Sequence, residues 1–180
     1  MKNLILVFLI FTLTASAQDT EMLGFINQYR IANGKKALVM SKDLNTIAKN
    51  QIQVIKNKDS NSHSGLANEV VTMGHTLPNT LDEKNSFICF LDSVFNMEYV
   101  EPKTYDEVST LTKLYMLFMF NNSPKHKAIL LGDYKLVGFE TIIKDIKYKP
   151  NTITIGDKVI KFLNLISHYE VKFYCVIDIK

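Results

Sequence analysis

The chain has 180 residues, 47% of them hydrophobic and 22% charged, which is enough apolar matter for one buried core and excludes a disordered tail or a small disulfide-stapled peptide. Twenty-one Lys and Arg against eighteen Asp and Glu leave a formal net charge of +3, too small a surplus to argue for a nucleic-acid partner. No segment repeats at a solenoid or propeller period, so one compact unit is expected.

The N-terminus reads Lys2, then Leu4 to Leu13 broken only by Thr12, then Ala15-Ser16-Ala17. Ala-x-Ala suits signal peptidase, and the apolar stretch is about half of the roughly 20 residues a bilayer-spanning helix needs. The expectation is a signal peptide over 1–17 and a single domain over 18–180, secreted or periplasmic, with no stable membrane span after cleavage. Cys89 and Cys175 both sit in apolar settings. An oxidising compartment permits a disulfide between them, and two free buried thiols account for the same settings.

Met22, Phe25, Ile26 and Tyr29 form the stripe of an amphipathic helix from Thr20 to Ala32, stopped by Asn33-Gly34. Ser41 is a good N-cap for a second helix, with Leu44, Ile47, Ala48, Ile52 and Ile55 on one face and an end near Lys58. Asp59 to Gly65 has turn chemistry, Asn68 to Val71 is a short strand or turn, and a loop with Gly74, His75 and Pro78 leads to a helical stretch from Leu81 to Met97. Leu111 to Phe120 is apolar on nearly every face and marks the centre of the fold. Asn121-Asn122 breaks it, and Ser123-Pro124 restarts a helix with Ser as N-cap and Pro at its first position.

The period then changes to two. Val137 to Tyr148 reads as an irregular strand, and Thr152–Ile155 with Lys158–Phe162 as a hairpin across Gly156-Asp157, pairing Ile153 with Ile160. Val171, Phe173, Cys175, Ile177 and Ile179 alternate with Lys172, Tyr174 and Asp178, which predicts a closing strand with one buried face. Helices followed by an antiparallel sheet predict an α+β fold with helices packed on a mainly antiparallel sheet.

Of the four histidines, His63, His75 and His126 fall in or beside loops and His168 precedes the last strand. His126 is the third residue of its helix, where unpaired N–H groups, the positive end of the helix dipole, Lys125 and Lys127 all disfavour the imidazolium. A neutral imidazole is the form that binds a metal or accepts a proton. His63 and Glu69 supply a second imidazole and a carboxylate, enough for an open metal site. Glu69 has the alternative role of a carboxylate bonded to the backbone of a turn. H-E-x-x-H, P-loop, G-x-S-x-G, C-x-x-C and EF-hand patterns are absent from the sequence.

In this order the segments resemble the CAP superfamily: the SCP domain of cysteine-rich secretory proteins, antigen 5 and pathogenesis-related proteins, in its short bacterial form. Phe25-Ile-Asn-Gln-Tyr-Arg30 with Gly34 resembles the opening helix and turn, and Leu44 to Ala48 the second helix. His63-Ser64, Asn68-Glu69-Val70 and Phe120-Asn-Asn-Ser-Pro-Lys-His126 resemble the segments carrying the cleft histidines and glutamate. The resemblance covers roughly Met22 to Glu140. It implies a three-layer α/β/α sandwich with a cleft at His63, Glu69 and His126, and that cleft as the place for a divalent metal such as zinc. The chain departs from the family in having Phe120 for Trp and Ser123 where animal members carry a second glutamate, and in an insertion around 74–110.

Because some members bind sterols or other lipids, the resemblance implies an exported ligand-binding module with a small-molecule or lipid partner. The alternatives are a metal-dependent secreted hydrolase or peptidase, with Glu69 as the candidate catalytic group, and a cell-surface protein-interaction domain using Met73 to Thr110. A serine mechanism through Ser62 or Ser64 lacks a strained nucleophile turn.

Overall fold

The computed structural model describes residues 20–58, 68–150, 152–155, 158–161 and 167–180. The expected signal peptide, the loop with Ser62, His63 and Ser64, and the hairpin turn at 156–157 lie outside the described residues.

Helix α1 spans 20–32 and buries Met22, Ile26 and Tyr29. It stops because Gly34 adopts φ +72°, a left-handed conformation that costs glycine little, and lets Lys35 N–H close back on the Arg30 carbonyl at 2.9 Å. Strand β1 (Val39–Met40) leads into α2 (Lys42–Lys58), where Ser41 Oγ accepts from Leu44 N–H at 3.4 Å as the expected cap. Leu44, Ala48, Ile52 and Ile55 are the buried apolar stripe of α2.

Strand β2 (Glu69–Thr76) is longer than the short strand or turn expected over Asn68 to Val71 and takes in Gly74 and His75, which the sequence places in a loop. Gly74 can join the sheet because its missing side chain leaves room for Phe173, whose ring would lie 2.2 Å from a Cβ there. Helix α3 (Leu81–Phe90) continues as one wide turn, Leu91–Phe95, and ends at Asn96 with φ 50°. Helix α4 (Tyr105–Asn121) starts at a capping box between Thr104 and Glu107 and is buried on almost every side from Leu111 to Phe120. It is followed by α5 (Pro124–Leu130), β3 (Leu136–Lys149), β4 (Thr152–Ile155), β5 (Lys158–Lys161) and β6 (His168–Ile179). The hairpin has the expected register, with Ile153 opposite Ile160.

The main sheet has the order β1-β3-β6-β2, with β1 parallel to β3 and the other pairs antiparallel. Ala48, Ile52 and Ile55 of α2 pack with Val71, Tyr174 and Val176 on one face. On the other face Val70, Phe139, Phe173 and Ile177 pack with side chains of α1, α3 and α4. Helices on both faces make the three-layer sandwich. They also correct the expected one-faced closing strand: Tyr174 is fully buried and Asp178 only 1% exposed, because α2 covers the face that alternation marks as polar.

The α2 layer sits very close to the sheet. A Cβ on Gly138 of β3 would lie 2.1 Å from the backbone N of Asn45 and the backbone C of Leu44, while Asn45 Oδ1 accepts from Phe139 N–H at 3.0 Å. Gly138→Ala must push α2 outward and lose that bond, so it should lower stability by about 2–3 kcal/mol. Urea unfolding of the variant checks this; a loss below about 0.5 kcal/mol, the level of an ordinary surface substitution, would refute the close approach.

Candidate functional site

Asn122 is the C-cap of helix α4, Ser123 is extended at φ −102° and ψ 109°, and Pro124 opens α5, so His126 is its third residue as expected. The His126 ring is half-buried and meets Phe120 edge-on at a centroid distance of 5.6 Å. Helix α5 packs against β2, the strand that begins at Glu69. The start of β2 is tied down by Tyr134 Oη donating to Asn68 Oδ1 at 3.0 Å and by Ile179 N–H donating to the Asn68 carbonyl at 3.2 Å.

Glu69 therefore opens a strand rather than sitting in a turn, and it is 2% exposed. Asp178 of β6 is its partner across the ladder. Directly opposed residues of an antiparallel pair project from the same face with Cβ atoms about 4.5–5.5 Å apart, so the two acids face each other beneath the α2 layer. Neither Asp178 carboxylate oxygen has a hydrogen-bond partner among the described residues. Burial, and secondarily the charge of Glu69, pushes the Asp178 carboxyl up to about 7.

The other sequence candidates separate clearly. His75 lies six residues along β2 from Glu69 and His168 ten residues along β6 from Asp178, or about 20 and 33 Å at the rise of a strand. Neither belongs with Glu69. His63 lies outside the described residues, and among those described no three His, Cys, Asp or Glu side chains are arranged to hold a metal. The two cysteines are free thiols: Cys89 is exposed on α3, whereas Cys175 faces the core, where burial pushes its thiol up and leaves it inert.

Asp178 is the acid that the alternating pattern hides. The available signal is the unbroken apolar run Phe173-Tyr-Cys-Val-Ile177 before it, which marks a strand covered on both faces, so that an acid at its end is buried too.

The sequence profile of the Cysteine-rich secretory protein family, CAP, matches residues 23–142. That stretch runs from α1 through Glu69 and His126 into β3. Neither the curated proteins nor the solved structures contain a match.

Proposed function

The chain belongs to the Cysteine-rich secretory protein (CAP) family, and from that premise we propose that it is an exported ligand-binding module whose polar cleft is built from Glu69, His126 and His63. The observation that carries the reading is the packing of α5, with His126 at its third position, against the strand that begins at the buried Glu69. Export rests on Lys2, the apolar stretch to Leu13 and Ala15-Ser16-Ala17. No described helix is long and apolar enough to cross a membrane. The ligand is a small molecule or lipid, as in sterol- and lipid-binding relatives. A divalent metal such as zinc would use the two imidazoles and Glu69. The described residues alone do not assemble three such donors, His63 lying outside them, and Ser123 stands where animal members of the family carry a second glutamate.

Two measurements test the proposal. Calorimetric zinc titration of the wild type and His126→Ala decides the metal: affinity no greater in the wild type removes it. Titration with the fluorescent probes dehydroergosterol and cis-parinaric acid decides the ligand class. Saturable binding of either, weakened at least about tenfold in Glu69→Gln, is the expected result; absence of saturable binding to a correctly folded wild type refutes the lipid assignment.

A further inference from the structure

The stretch from Leu91 to Leu114, most of it in the expected insertion, builds a cavity whose lining includes neither Glu69 nor His126. It encloses about 370 Å³ between the wide turn at Leu91–Phe95, the loop over 96–104 and the first half of α4. Leu91, Leu111 and Leu114 are buried along it, while Met97 and Val100 stand exposed at its edge. This size is within the lower range of small-molecule pockets.

The mouth carries a particular charge. Residues 96–107 hold four acids, Glu98, Glu101, Asp106 and Glu107, and one lysine, Lys103, in a chain whose net charge is positive. Two of these acids are already engaged. Glu101 is paired with Lys84 at 2.9 Å and accepts from Tyr99 Oη at 3.1 Å, and Glu107 accepts the Lys103 and Thr104 N–H groups in the cap of α4. Glu98 and Asp106 also line the cavity and have no ion-pair partner among the described residues. The Lys84 ammonium sits 4.6 Å from the centroid of the Tyr99 ring, so this wall already accommodates an organic cation.

The walls are fixed in place. Tyr169 Oη donates to the Pro102 carbonyl at 2.8 Å, Gln28 Nε2 donates to the Phe95 carbonyl at 3.3 Å, and the Thr104–Glu107 capping box holds the far end of the loop. A loop tied at both ends loses little conformational entropy when a ligand enters.

We propose that this insertion cavity binds a small amphiphilic cation, an aliphatic or aromatic body seated between Leu91, Leu111 and Leu114 with an ammonium head held by Glu98 and Asp106. The buried leucines select the body and the two unpaired carboxylates select the sign of the head. An anionic amphiphile of equal length would bring its charge against the same two acids. The site is independent of the proposed His/Glu cleft.

The test is calorimetric titration of the purified protein with decyltrimethylammonium, decyl sulfate and decanol, all below their aggregation limits. The cation should bind at least about tenfold more tightly than the sulfate, and this preference should shrink as salt rises. In the double variant Glu98→Gln/Asp106→Asn, both exposed positions, the preference should fall to about twofold or less while decanol binds as before. Equal affinity for the three probes, no binding by any of them, or an unchanged preference in a folded double variant would each overturn the proposal. Glu69→Gln, which tests the cleft, should leave decyltrimethylammonium binding unchanged.

Discussion

Asp178→Asn is expected to stabilise the protein at pH 8 and to leave it almost unchanged at pH 4. The Asp178 carboxyl is pushed up to about 7 from an ordinary value of 3.8, first by burial and then by Glu69 opposite. Between those two values the folded chain keeps a proton that the unfolded chain has released. Stability must therefore fall as pH rises from about 4 to about 7, and fall no further above that. Each unit corresponds to about 1.4 kcal/mol, so the full window is worth at most about 4 kcal/mol. Asparagine removes the ionisation and offers an N–H to the neighbouring Glu69 carboxylate. A net gain of about 1–3 kcal/mol at pH 8 follows, because part of the gain is offset by imperfect pairing of the new amide. Urea unfolding of wild type and variant at unit steps from pH 4 to 8 measures it. Parallel curves for the two proteins would show that Asp178 does not carry the titration.

Much of the molecule is legible in the sequence, and the exceptions share a cause. The hairpin register of Ile153 with Ile160 follows from alternation and a two-residue turn, both local. The entry into α5 follows from Pro124 in the same way, with Ser123 at the N-cap position but making no side-chain capping bond there. The burial of Asp178 is not local. Lys172, Tyr174 and Asp178 share a parity that reads as a solvent face, and only the laying of α2 across the sheet, close enough for Gly138 to touch the α2 backbone, turns Tyr174 and Asp178 inward. Strand β1 is two residues long, too short to show a period, and exists because Val39 and Met40 pair with Leu136 and Val137. Gly74 and His75 have loop composition, yet the ladder with β6 continues through them. Of the candidate site, Glu69 and His126 are readable as residue types in a family order, whereas the facing acid comes from a strand 109 positions later in the chain and is set by register alone.

Arg30→Met should be the most damaging single substitution near the α1 terminus, lowering stability by about 3 kcal/mol or more. Arg30 is 1% exposed, and its guanidinium donates through Nε to the Lys36 carbonyl at 2.8 Å, through Nη1 to the Leu130 carbonyl and through Nη2 to the Gly132 carbonyl at 3.1 Å. Leu130 is the last residue of α5, so the guanidinium meets a carbonyl that the helix cannot satisfy itself and sits at the negative end of the helix dipole. One side chain thus joins the end of α1, the following turn and the end of the helix that carries His126. Methionine fills similar space but leaves three carbonyls without this donor. Hydrogen bonds to charged groups contribute about 1.5–3 kcal/mol each, and the relief of no longer burying a cation offsets part of their loss. Arg30→Lys keeps the charge but replaces a planar fork with a single ammonium that cannot reach all three carbonyls together, so it should recover only part of the loss. Since natural domains are stable by about 5–15 kcal/mol, urea midpoints will resolve all three proteins. A methionine variant within about 1 kcal/mol of the wild type would mean that the guanidinium does not clamp these segments. A lysine variant as stable as the wild type would mean that charge alone, without the fork, is what they require.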